Sequence, residues 1–346
     1  MKNVYDIKID DLKKLLNILK TYSSDPVVMA DIGILSNYIK RLERNFSEKS
    51  ISLYERLLDD AGDIHFYKPF YPFSEKFSNI GRSQNELVFN TSYSFFPISD
   101  EQAMEDAEIF FRDQGDFFYS GFSSFQEEAE DHLKFINPQT DTAGETLTLK
   151  STGEAFVFVP NYSNITKFTI LIHELEHAID FFSNQYFLDS FVIRETSAIF
   201  MELIATDFIS KKYNLFDDNF QRRNFLHTLI KSQASFLGDK NELLDLVNKH
   251  KHLKEDDLLR CLKMYDFSEE DIVFLLEESI TQDYSYQLPY LIAVELYVIY
   301  HNNRKKALAV LEDIILNGDQ YNIFDILNKY GIVLNKNVLY YEDCLY

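Results

Sequence analysis

The chain of 346 residues sets 34 Lys and Arg against 56 Asp and Glu, a net charge of −22, so it lacks the clustered basic surface that nucleic-acid phosphates require. The same acidity disfavours an anionic membrane surface, and the longest apolar run, Leu288 to Tyr300, is too short to span a bilayer and contains Glu295. A hydrophobic content of 46% can build a sizeable core, while ten Gly and seven Pro are too few for a turn-rich barrel or sandwich. A mainly α protein is expected. Its acidity would steer basic peptides, although solubility is the simpler reason for it.

Two cysteines, Cys261 and Cys344, lie far apart and outside any ligand-type spacing, which fits a reducing compartment. The N-terminal MKNVYDIKIDDLKK has no apolar signal core, so a cytoplasmic protein is expected.

The first helix is predicted over Asp10 to Lys20, with Ile9, Leu12, Leu16 and Leu19 along one face. Asp25-Pro26 supplies a capping side chain and a proline at the first helical position. The helix that follows places Val28, Ile32, Leu35, Ile39, Leu42 and Phe46 at steps of four and three. Another helix is predicted over Ile51 to Leu58. From Gly62 to Ser99 the pattern breaks into an aromatic, proline-containing segment, read as a packed loop rather than a cover over a cleft. Helices resume over Glu101 to Asp113 and Ser123 to Phe135.

Asn137-Pro138 marks a boundary. It divides an N-terminal helical region, 1–136, from a catalytic region, 137–346, with the two expected to pack as one unit. Glu145 to Lys150 and Glu154 to Pro160 read as strands with Gly153 at their turn. Ala155, Val157 and Val159 alternate with Phe156 and Phe158, as in a strand buried on both faces. Beyond Asn161 the chain is predicted helical almost throughout, and Gly331 ends the run Phe324 to Tyr330.

The chemistry concentrates between Thr169 and Asp207. His173 and His177 are four residues apart, so on a helix both imidazoles project from one face, an arrangement that suits Zn²⁺. Glu174 lies about 100° round the same helix, where it can serve as general base towards a water. The apolar flanks, Thr169 to Ile172 and Ala178-Ile179, predict a buried helix, and buried His and Glu need partners. A catalytic zinc keeps three protein ligands, and RETSAIFMELIATD looks like the helix that brings the third. Glu195 is assigned as that ligand. Glu202, two turns further along the same face, is assigned to orient a ligating His.

These residues suggest a family. TILIHELEHAIDFFS followed by RETSAIFMEL, with the strand FVFVPNYSNITKF upstream and SYQLPYLIAVELYVIY downstream, resembles the thimet oligopeptidase and oligoendopeptidase F family of zinc metallopeptidases. The resemblance covers about half the chain, from Gly144 onward. It implies a helical metallopeptidase fold with a small β-sheet bordering the active-site cleft, and hydrolysis of short peptides. It also implies one zinc ion on His173, His177 and Glu195, with Glu174 activating water. Family members stabilise the oxyanion with late tyrosines, for which Tyr286, Tyr290 and Tyr297 are the candidates here.

The chain departs from the family where Glu176 replaces a Gly and Asp180 replaces a His. Asp180 is expected to orient a ligating His or to touch the metal, and Glu176 to crowd the cleft. No His stands between Asp283 and Tyr300, where the family often places a substrate-binding one. The chain is also shorter than typical members, with the N-terminal part reduced. Two competing readings are a catalytically impaired zinc- or peptide-binding homologue and a dedicated protease of one protein or signalling peptide.

Overall fold

A computed structural model describes residues 9–22, 25–42, 96–136, 144–184, 191–215, 242–243, 245–265, 267, 280–318 and 323–334. The predicted helix over Ile51 to Leu58 and most of the aromatic segment lie outside these residues. The chain divides into two compact units. The first comprises 1–46, 90–222 and 299–332, and the second comprises 47–89, 223–298 and 333–346.

In the first unit, α1 (Ile9–Lys20) and α2 (Pro26–Leu42) form as their apolar stripes predict. Asp25 Oδ1 accepts from the amide of Val27 at 2.8 Å, satisfying one of the donors that a helix start leaves free. Leu12, Leu16, Leu19, Leu35 and Ile39 pack together with Leu147, Phe156 and Phe158 of the sheet, and Tyr38 lies over Phe158 with ring centroids 4.3 Å apart. Asp31 reaches out of α2 to accept from the Ser151 amide at 2.7 Å, tying that helix to the hairpin turn.

α3 (Asp100–Gln114) begins at Ser99, whose hydroxyl accepts from the Gln102 amide. Gly115, at φ 113°, turns the chain directly into α4 (Asp116–His132). The predicted helix over Ser123 to Phe135 therefore starts earlier and ends sooner. Leu133 to Phe135 belong instead to strand β1 (Leu133–Ile136). Leu133 to Ile136 pair in parallel with Val157 to Pro160, and that long-range ladder overrides the local helical pattern.

The sheet order is β1-β3-β2, with β2 (Glu145–Leu149) antiparallel to the central β3 (Glu154–Pro160). Gly153 adopts φ 75° in the connecting turn, and β3 is buried on both faces. Leu147 and Leu149 of β2 are buried, which sends Gly144, Thr146 and Thr148 to its opposite face.

α5 (Thr166–Ser183) and α6 (Phe191–Lys212) follow the sheet and carry the candidate site. The buried Lys167 anchors the start of α5, donating to Asp100 at 2.6 Å and to the Ile98 carbonyl at 3.1 Å. An aromatic layer of Phe110, Phe111, Phe122, Phe168 and Phe208 joins α3, α4, α5 and α6. Gly121 lets α4 approach α5, since a Cβ there would lie 2.7 Å from Ile179 Cγ2. α9 (Arg304–Asn317) and α10 (Ile323–Lys329) complete the described part of this unit, with Asn303 capping α9 through the Lys306 amide.

The second unit contains α7 (Glu255–Met264), whose Leu258 and Leu262 are buried, and residues 280–298 of α8 (Ile280–Asn302). Glu295 of α8 is part-buried, which raises its carboxyl above the ordinary range. Cys261 is a free thiol, and Cys344 lies outside the described residues. Among the described residues no helix is long and apolar enough to cross a membrane.

Candidate metal centre

Both elements that carry the site belong to the first unit. Asp180 faces Ser197, His177 faces Glu195, and His173 faces both Glu195 and Glu202, so α5 and α6 run antiparallel. One donor from each of His173, His177 and Glu195 falls within 4.8 Å of the others, making the only such group of three among the described residues.

Nε2 of His173 lies 3.5 Å from Glu195 Oε2, and Nε2 of His177 lies 3.5 Å from Glu195 Oε1. The two imidazoles are nearly perpendicular, at 87°, with centroids 5.0 Å apart. Nδ1 of His173 is 3.2 Å from Glu202 Oε2. A carboxylate only accepts, so Nδ1 carries the hydrogen and Nε2 is left to face Glu195.

Burial works against charge on His173. Hydrogen bonds to Glu195 and Glu202, together with the charge of Glu174, nevertheless hold its pKa well above the ordinary value. His177 moves the opposite way: burial, then the positive fields of Arg194 and His173, push it well below. The neutral form of His177 is the one that ligates a metal. Its Nδ1 is buried with no hydrogen-bond partner among the described residues.

Glu174 is 5% exposed and projects towards β2. The Thr146 hydroxyl lies 2.8 Å from Glu174 Oε2 and 2.8 Å from the Glu174 main-chain carbonyl. A Cβ on Gly144 would come within 2.7 Å of Glu174 Cγ and of Ile170 Cγ2. Burial raises the Glu174 carboxyl to about 7, against the opposing pull of His173 and Thr146. Sequence reasoning missed both Thr146 and Gly144. Their signal was available, in that residues two apart on a strand share a face, but the facing partner was not.

Glu176 and Asp180 are buried, as the metal-centre residues His177 and Glu195 are. Glu176 is 0% exposed and Asp180 is 3% exposed. Asp180 is not among the three residues whose donors converge. It contacts Ser197 Oγ at 2.5 Å, and Ser197 in turn lies 2.9 Å from the Arg194 carbonyl. The Ser197 hydroxyl thus has the Asp180 carboxyl and the Arg194 carbonyl as its two acceptors. Burial drives Asp180 up to about 8, despite Ser197 and Arg194, and drives Glu176 well above its ordinary value, helped by Asp180. Both oxygens of Glu176 are without a partner among the described residues.

Tyr290 and Tyr297 lie on α8 within the second unit, Tyr297 being 2% exposed and Tyr290 part-buried. The Tyr286 side chain lies outside what the structure describes.

The donor set suits a divalent zinc. Two imidazoles and one carboxylate are the three-protein-ligand pattern of catalytic zinc sites. Glu195 Oε2 is buried and faces only the long 3.5 Å approach of His173 Nε2, an acceptor that a cation between the two would satisfy.

No protein-family profile and no curated protein matches the sequence. Solved structures do resemble the fold. A candidate oligoendopeptidase F superposes with TM-score 0.58 at 13% identity, over 95% of this chain and 66% of the other. A second, from Bacillus anthracis str. Ames, gives 0.54 at 12% identity, over 96% of this chain and 61% of the other. PZ peptidase A with an inhibitor gives 0.52 at 11%, over 84% and 59%. The chain therefore spans less than two thirds of the length of these neighbours, and it shares their helical fold with its small sheet.

Proposed function

We propose that this chain is a zinc-dependent metalloendopeptidase that hydrolyses short peptides. The single observation that carries the reading is the convergence of His173, His177 and Glu195 beside a buried, seated Glu174. The fold shared with peptidases supports it. The single zinc would be held by Nε2 of His173, Nε2 of His177 and the Glu195 carboxylate. When bound, it supplies Lewis-acid polarisation of a scissile carbonyl and lowers the pKa of water.

The chain's own residues do the rest. Glu202 holds His173 in the tautomer that leaves Nε2 free. Glu174 takes a proton from the attacking water and delivers it to the amine nitrogen as the peptide bond breaks. A buried carboxylate whose pKa lies near neutrality suits both halves of that transfer. The tyrosines Tyr286, Tyr290 and Tyr297 are carried in the proposal as candidates for the oxyanion donor, and Tyr→Phe substitutions taken one at a time separate them. A cytoplasmic location, with a peptide as the partner rather than nucleic acid or membrane, belongs to the same proposal.

The test is a quenched-peptide library with the zinc-loaded wild type and Glu174→Gln. Hydrolysis by the wild type, with turnover reduced by about 10³-fold or more in the variant and zinc retained, is expected. Zinc retention without cleavage of any peptide by the wild type would replace the peptidase with a zinc- or peptide-binding homologue.

A further inference from the structure

We infer that Thr146 is a positioning residue that seats the carboxylate of Glu174, and that Gly144 keeps the space this seat requires. The inference deepens the peptidase reading and rests on it for its kinetic consequence, though not for its geometric one.

Strand β2 has two faces with different duties. Leu147 and Leu149 are buried, Leu147 beside Phe156 and Phe158 in the core shared with α1 and α2, so the strand's register is fixed. Gly144 and Thr146, two residues apart, occupy the other face, and both meet Glu174. A long flexible side chain such as Glu gains catalytic precision only when its rotamer is fixed by its surroundings. Here two constraints act at different atoms. Thr146 Oγ stands 2.8 Å from Oε2, while at Gly144 even a methyl group would collide with Oε1 and with Cγ.

The hydroxyl also suits a group that must both take and give a proton. Thr146 Oγ lies 2.8 Å from two oxygens of the same residue, the carboxylate Oε2 and the main-chain carbonyl. When Glu174 is a carboxylate, the hydroxyl donates to Oε2. When Glu174 carries the proton on Oε2, it donates to Thr146 Oγ, and the hydroxyl hydrogen turns to the carbonyl. Neither arrangement requires the Glu174 side chain to move. A valine in this place would fill the same volume and offer neither bond.

The test compares full-length Thr146→Val, Thr146→Ser and Gly144→Ala with the wild type, by crystal structure of the zinc-free protein, zinc content and steady-state kinetics. Thr146→Val is expected to displace the Glu174 carboxylate while His173, His177 and Glu195 stay in place and one zinc still binds. kcat should fall by about 10- to 100-fold with KM little changed, the loss of one charge-assisted hydrogen bond. Thr146→Ser should restore both the position and kcat, which a merely structural role would not require. Gly144→Ala should displace the carboxylate as Thr146→Val does. If Thr146→Val does not fold, Thr146→Ala takes its place in the comparison. Glu174 seated unchanged in the valine or alanine variant overturns the inference, as does a serine variant as slow as the valine one. If the wild type cleaves no peptide yet Glu174 moves in Thr146→Val and not in Thr146→Ser, the peptidase reading fails and the seat stands.

Discussion

Replacing Asp180 by Asn should make the zinc-free protein less sensitive to rising pH, and the structure sets the size of the effect. Asp180 is 3% exposed, with the Ser197 hydroxyl donating to it at 2.5 Å. Burial lifts its pKa from 3.8 to about 8, with Glu195 adding to the rise and Ser197 and Arg194 opposing it. The folded chain therefore keeps this proton between about pH 4 and pH 8, while the unfolded chain releases it. Stability from this group is fully present below its unfolded pKa and is lost as pH climbs through the folded one. At about 1.4 kcal/mol per pH unit the upper limit is about 6 kcal/mol, and water entry and local relaxation reduce it to the order of 2–3 kcal/mol.

The assay is thermal or urea unfolding of the zinc-free wild type and Asp180→Asn from pH 5 to pH 8.5. The wild type should lose stability across that range, and the variant should lose less and overtake it near pH 8. Glu176→Gln should show the same direction, because Glu176 is raised by burial and by Asp180. Parallel pH profiles for wild type and Asp180→Asn, or a wild type that gains on Asp180→Asn as pH rises, would refute the neutral-Asp180 account.

Other outcomes follow from particular contacts. Gly121→Ala should destabilise the chain by about 1–3 kcal/mol in urea titration, since its Cβ would lie 2.7 Å from Ile179 Cγ2 and 3.3 Å from Ile179 Cβ. Phe158→Ala should cost about 3–5 kcal/mol, because this fully buried ring fills the space between α1, α2 and the hairpin. Glu202→Gln should weaken zinc binding by about 10- to 100-fold, read by competition with a chelating dye, with the far-UV spectrum unchanged.

Much of this arrangement was legible in the residues, and what was not has physical causes. The α1 and α2 stripes and the β2–β3 hairpin announce themselves through period and turn residues, and the two site helices through the His-Glu-x-x-His spacing and their apolar flanks. The convergence of His173, His177 and Glu195 could be read from spacing, because a four-residue helical step followed by one chain reversal leaves few geometries. β1 could not be read, because LKFI continues a helical pattern until its partner, more than twenty residues later, claims it. Glu176 was expected to crowd a cleft and Asp180 to orient a ligating His or touch the metal; both are buried and Asp180 meets Ser197, since spacing fixes an angle round α5 without saying which side α6 covers. Thr146 escaped notice because a threonine in a strand carries no mark of the carboxylate that it faces.

The most direct test of the account is zinc titration of the full-length protein, the wild type beside His177→Ala and Glu195→Ala, followed by calorimetry and metal analysis. The account predicts one tightly bound zinc per chain in the wild type, accompanied by proton release as His173 gives up its charge, and loss of that site in both variants. A wild type that binds no zinc, or variants that bind it as the wild type does, would contradict the assignment of His173, His177 and Glu195 as its ligands.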